Sequence, residues 1–230
     1  MKVGITLPQF RDSGDEALDA ARRAEDLGID GVFVFDHLWP MGQRGRPALS
    51  SGPLLGALAA VTSAIRLGTL VARIGLVPDD VLVEVLCGVD SLSGGRLVAG
   101  IGTGDSLSRE ENDAYGIPFE AAEIRRQRLA SVAMAVAGAG IPVWIGGSRP
   151  EMVALARTVE GAVNVWQVGA DRVGPLVAEE VEVTWGGPVG DTVEAATVTL
   201  TEVAGAGATW AVCAWPDSLE VVAEAADAVR

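Results

Sequence analysis

The chain has 230 residues, a size that suits one large α/β domain or two small ones, and 49% of them are apolar. Its formal net charge is −14 and Lys2 is its sole lysine. A nucleic-acid surface, which needs a basic stripe, is therefore not expected, and anionic lipid surfaces are disfavoured. No window reaches about 18 uninterrupted apolar residues, so no membrane span is expected. The N-terminus runs straight into a strand pattern and lacks a signal peptide's apolar core. Cys87 and Cys213 lack metal-ligand spacing and read as buried small hydrophobes, so no metal site and a reducing cytoplasm are expected.

The chain alternates short β-branched or aromatic runs with amphipathic helical patterns. Strands are predicted at 3–7, 31–35, 66–71, 97–101, 143–145, 162–165, 181–184 and 209–214. Helical patterns follow them at 15–27, 53–62, 79–90, 120–136, 150–159, 170–179, 191–204 and 217–229. The strands read as continuous apolar runs, as expected where both faces of a parallel sheet are covered. Eight such units point to a parallel (β/α)8 TIM barrel; an open doubly wound sheet is the alternative. Gly28 suits a helix stop, Asp79 and Asp80 suit a helix N-terminus, and Pro150 suits a first helical turn. Residues 38–51 form the longest stretch without periodicity and read as an active-site loop. Residues 135–140 (AVAGAG) read as a short flexible connection. With no linker or low-complexity tract, residues 1–230 are read as one domain.

The most informative run is 92–108, LSGGRLVAGIGTGDSLS. A strand ends there in Gly102, Thr103, Gly104 and Asp105. Glycines let backbone N–H groups approach a ligand unobstructed, and parallel α/β folds put their chemistry at this end of a strand. Gly146 and Gly147 end the fifth strand in the same way. Ser148 and Arg149 then open a helix whose N–H groups favour an anion. The two glycine pairs read as a phosphate cradle, with Gly186 and Gly187 after the seventh strand as the rival. Asp36 and His37 leave the second strand. His37 is the only histidine, and imidazole donates or accepts a proton near neutral pH. Asp36 is alternatively a loop cap, and Asp105 alternatively a helix cap. Trp144, Trp166 and Trp185 read first as packing, although the last two end strands where a planar ligand could stack. Arg125, Arg126 and Arg128 read as a solvated helix face, and Arg73 as a candidate partner for a cofactor carboxylate.

These motifs resemble the bacterial luciferase-like flavin or deazaflavin oxidoreductases. The matching segments are GITLPQF (4–10), GVFVFDHL (31–38), IRLGTLV (65–71), VDSLSGGRL (89–97), GIGTGDS (100–106), YGIPF (115–119) and PVWIGGS (142–148), in family order. The resemblance implies the same barrel. Asp36-His37 and Gly102–Asp105 make it closer to the branch that uses coenzyme F420 than to the branch that uses FMN. It implies that His37 lies beside the reactive deazaflavin carbon and that Asp105 takes the place of a family acid. It also implies that Thr69, Leu70 and Val71 form a backbone bulge behind the ring, often made with a non-proline cis bond. The phosphate is then expected near Gly102, Thr103 and Gly104 and near Gly146, Gly147 and Ser148, with Asp36 beside the cofactor.

The implied activity is hydride transfer between F420 and a small organic substrate. An FMN-dependent monooxygenase of the same fold and a non-catalytic cofactor-binding barrel are the alternatives. Three departures stand out. The long excursion that family members carry before the fifth strand is missing. The late-strand lysines of sugar-phosphate-oxidising members are missing too, so a sugar phosphate is not expected. Met41 stands where some members have tryptophan, with Trp39 nearby. The resemblance further implies a homodimer through helices near the second and third strands, and the apolar segment 53–61 (PLLGALAAV) is consistent with that.

Overall fold

The computed structural model describes residues 1–230. Eight parallel strands close into a barrel in sequence order. They are β1 (Lys2–Thr6), β2 (Gly31–Val34), β3 (Arg66–Arg73), β4 (Leu97–Gly102), β5 (Val143–Gly146), β6 (Ala162–Trp166), β7 (Glu182–Gly187) and β8 (Trp210–Cys213). Helices α1 (Asp15–Asp26), α2 (Ser51–Val61) and α3 (Asp79–Ser93) follow the first three strands. β4 is followed by two, α4 (Ser108–Ala114) and α5 (Ala122–Gly138). The ring is completed by α6 (Pro150–Thr158), α7 (Ala170–Val177), α8 (Val193–Gly205) and α9 (Leu219–Ala226). The open-sheet alternative is thereby excluded. Residues 135–138 belong to α5 rather than to a flexible connection. No helix is long and apolar enough to cross a membrane.

Side chains alternate along each strand with a period of two. One set, including Val3, Val32, Leu67, Ile101, Ile145 and Val183, packs outward against the helices in a core of 52 buried residues. The other set points into the barrel. There Phe33 stacks on Trp144 at 5.1 Å between ring centroids, and Trp210 meets both rings edge-on at 5.9 and 5.5 Å. Trp144 is thus interior packing. Three rings fit only because their neighbours on adjoining strands lack side chains. A Cβ on Gly4 would sit 2.7 Å from Phe33 Cε2, and one on Gly68 would overlap the same ring.

β3 departs from this regularity. Thr69 pairs with Ala99, but the next partners are Ala72 and Ile101, so β3 carries one extra residue. The Leu70–Val71 peptide within this bulge is cis, as the resemblance implies. A bulge redirects side chains. Here it turns both Leu70 and Val71 toward the barrel mouth. The neighbouring strand accommodates it with Gly100, where a Cβ would collide with the Thr69 carbonyl oxygen.

Gly68→Ala should force the Phe33 ring off its position. Overpacking of this kind costs about 1–3 kcal/mol. Urea unfolding followed by far-UV circular dichroism should show a lower midpoint with an unchanged slope.

Candidate active site

The carboxyl ends of the strands carry two adjoining hollows. The larger, about 440 Å³, is lined by Phe35, His37, Leu70, Val71, Gly146 and Trp166 among others. The second, about 350 Å³, shares His37, Leu70 and Val71 and is otherwise walled by Arg73 and the 102–105 loop. Gly147 and Asp105 line both. The loop between β2 and α2 contributes Pro40, Met41 and Gln43 to the larger one, so residues 38–51 do border the site.

A buried carboxylate organises this mouth. Glu111, on α4, is 1% exposed. Its Oε1 lies 2.7 Å from His37 Nδ1, and its Oε2 accepts from Leu38 N at 2.9 Å and from Arg73 Nη2 at 2.9 Å. Burial pushes the Glu111 pKa up. The hydrogen bonds from His37 and Leu38 and the charges of His37 and Arg73 outweigh it and hold the group below the usual 4.5. An ionised carboxylate can only accept, so Nδ1 of His37 carries a proton and donates it. Nε2 then remains for whatever enters the hollow, because it makes no bond within the protein. The Arg73 guanidinium is buried, donates from Nη1 to Ser108 O at 3.2 Å, and keeps Nε without a partner.

Asp36 borders the smaller hollow with both oxygens engaged. Oδ1 accepts from Ser51 Oγ at 2.8 Å and Oδ2 from Arg73 N at 2.8 Å, so Asp36 ties α2 and β3 together. Asp105 lines both hollows while its Oδ1 accepts from Leu107 N, Ser108 N and Ser108 Oγ at 2.9–3.2 Å, capping α4. Gly104 adopts φ +68°, which a residue with a Cβ rarely accepts. Arg125 donates to the carbonyls of Thr103 and Gly104 at 2.8 and 3.2 Å and lies 3.9 Å over the Phe119 ring. Arg128 pairs with Asp79 and Glu120. Neither belongs to a freely solvated face.

Two sequence candidates lie apart. Thr69 is 1% exposed and donates its hydroxyl to Gly100 O at 2.6 Å, away from either hollow. The strand period before the bulge points it outward. Ser148 borders a separate depression with Val168 and Arg172. The rival cradle is filled by indoles: a Cβ on Gly186 would lie 2.5 Å from Trp166 Cε3, and one on Gly187 would lie 2.8 Å from Trp185 Cζ2. Trp185 donates to Val168 O at 2.7 Å on the outer side, whereas Trp166 does reach the larger hollow. Glu111 and α4 are not anticipated from the sequence. The available signal is the spacing of Ser108, Glu111 and Asn112 on one buried helical face behind the Asp105 cap.

The profile of the luciferase-like monooxygenase family matches residues 1–130. The chain belongs to that family. An F420-dependent glucose-6-phosphate dehydrogenase of Nakamurella multipartita is 41% identical to this family member over 95 residues, covering 40% of this chain and 28% of the relative. A 5,10-methylenetetrahydromethanopterin reductase of Archaeoglobus fulgidus is 30% identical over 164 residues, covering 62% and 46%. The chain spans between 28% and 58% of the length of the curated relatives it matches. Among solved structures, an F420-dependent secondary alcohol dehydrogenase in complex with an F420-acetone adduct superposes with a TM-score of 0.84 at 14% identity, covering 100% of this chain and 99% of that one. At that identity the likeness is one of fold.

Removing the Glu111 carboxylate leaves the Arg73 guanidinium buried and unpaired, which costs about 3–5 kcal/mol. Glu111→Ala should therefore lower the urea midpoint sharply at neutral pH. Because the folded pKa of Glu111 is depressed, its stabilisation is complete above the unfolded value and is lost as pH falls through the folded one. Wild-type protein should lose more stability than Glu111→Gln on acidification from about pH 6 to about pH 3. Parallel acid losses in the two proteins would contradict this.

Proposed function

We propose that the protein is an oxidoreductase that moves a hydride between coenzyme F420 and a small organic substrate, working as one domain over residues 1–230 in the cytoplasm. The observation that carries this reading is the pairing of two hollows: one with a buried guanidinium nitrogen lacking a partner among loop glycines, the other with a histidine nitrogen left open. The residues present fit a phosphate-bearing planar cofactor. Arg73 Nε and the glycine backbone at Gly102 and Gly104 suit an anion. Leu70, Val71 and Gly146 offer a flat apolar support beside it. Relatives named for F420 favour the deazaflavin over FMN.

When bound, F420 supplies the carbon that gives or takes hydride. The chain's own residues do the rest. His37 Nε2 takes or returns the substrate proton, and Glu111 keeps the imidazole in the tautomer and orientation that allow it. Phe35 and Trp166 keep water from the reacting groups. Asp105 is a second acid at the same mouth, already oriented by the helix it caps.

Fluorescence titration should give one F420 site per chain and at least about tenfold weaker binding of FMN, a difference of about 1.4 kcal/mol. Gly146→Val should weaken F420 by more than about tenfold by obstructing the approach to Val71, already 3.2 Å from a Cβ there. His37→Ala should keep F420 affinity within a few-fold and lower turnover by about 10²–10⁴. Loss of cofactor binding in His37→Ala, with unchanged turnover per bound cofactor, would make His37 a binding residue.

We also infer a homodimer through α2 and α3. Val81, Val85 and Leu92 are 47%, 40% and 75% exposed, and with Gly88 they form one stripe along α3 beside α2. Light scattering of wild-type protein should give twice the chain mass, and Val85→Asp should shift it toward the monomer.

A further inference from the structure

We propose that a third hollow, behind the loop that borders the mouth, binds an aromatic carboxylate. The site goes beyond the oxidoreductase reading and does not depend on it. The hollow measures about 590 Å³ and lies between the loop after β1, the loop after β2 and the end of α4. It shares no lining residue with either hollow of the mouth. The loop after β2 therefore has two sides. Pro40, Met41 and Gln43 border the larger hollow of the mouth, whereas Leu38, Trp39, Arg44 and Arg46 border this one.

The chain carries 31 acidic residues against 17 basic ones, so an arginine has carboxylates in plenty. Arg126, Arg128 and Arg157 meet them, and Arg66 and Arg96 donate to carbonyls instead. Arg44 and Arg46 do neither. Arg44 lies 6.0 Å over the Trp39 ring, and Arg46 donates from Nη1 to the Gln43 amide oxygen at 2.6 Å. The third guanidinium of the hollow, Arg11, is neutralised by Glu16 at 2.7 Å. Asp12 is the one carboxylate in the lining, and Glu110 and Asp113 border the next depression together with Arg109. One positive charge is left over within the lining. A guanidinium fork matches the geometry of a carboxylate, and an ionised carboxylate matches the charge.

The rest of the lining suits a ring. Leu38, Pro47 and Leu49 make an apolar wall. Tyr115 stacks one face on Trp39 at 5.9 Å between centroids and is 62% exposed, so its ring has a free side. A planar ligand laid there covers apolar surface and aromatic face together. The Tyr115 hydroxyl stands at the same hollow as a further donor.

The test follows the tryptophan indole N–H signals of nitrogen-15 labelled protein, without cofactor, during titration with 2-naphthoate, 2-naphthalenemethanol and acetate. The Trp39 signal is identified by its loss in Trp39→Phe. It should shift saturably with 2-naphthoate, and the neutral alcohol and the ringless acetate should each bind at least about tenfold more weakly. Arg44→Gln should weaken 2-naphthoate about tenfold and leave the alcohol unchanged. Arg44 is exposed, and an unaltered pattern of the other indole signals shows that the variant is folded. Trp166 reports on the larger hollow of the mouth. A shift of Trp166 with Trp39 unmoved, equal affinity for acid and alcohol, or unchanged 2-naphthoate affinity in Arg44→Gln overturns the proposal. Because no cofactor enters the titration, a failure of F420 to bind overturns the oxidoreductase reading alone.

Discussion

Glu111 is a carboxylate buried between three segments that are far apart in the chain. It holds the backbone and imidazole leaving β2, the guanidinium at the end of β3, and its own helix after β4. Charge is balanced inside the protein: the ionised carboxylate faces a guanidinium that water barely reaches. Such a pair contributes little net stability compared with an apolar packing, but losing one member is expensive. Its value is geometric. A histidine on a loop has many rotamers, and one with Nδ1 bonded to a buried, charge-locked acceptor has few.

The bulge in β3 serves the same mouth by different means. A regular strand would present every second residue to the interior. The extra residue between Thr69 and Ala72 presents two in succession. The strand beyond it then ends with Arg73, whose N–H meets Asp36 and whose side chain meets Glu111. Gly100 and Gly102 on the next strand leave the space that the bulge and Val71 occupy. Backbone irregularity and ion pairing are thus parts of one construction.

The barrel was legible because its strands are buried on both faces and read as unbroken apolar runs. Helix ends at Gly28, Asp79 and Pro150 were legible because their residues have few other local uses. α4 was not. It has seven residues, and the ones it buries are Ser108, Glu111 and Asn112, so its inward face has no hydrophobic signature. Arg125 was misread because arginine on a helix is usually solvated, and the carbonyls it serves lie 21 and 22 residues earlier. Thr69 and Ser148 adjoin residues that line the hollows. Adjacency in sequence does not fix the direction in which a side chain leaves the strand or the turn after it.

The aromatic filling of the barrel has a kinetic consequence. Phe33, Trp144 and Trp210 occupy the interior below the mouth and are 0%, 4% and 6% exposed. No passage runs through the barrel to its other end. Whatever enters the paired hollows arrives and departs through the open carboxyl end of the barrel. Two ligands seated in such adjoining hollows exchange through the same face, so each screens the other from solvent while both are bound.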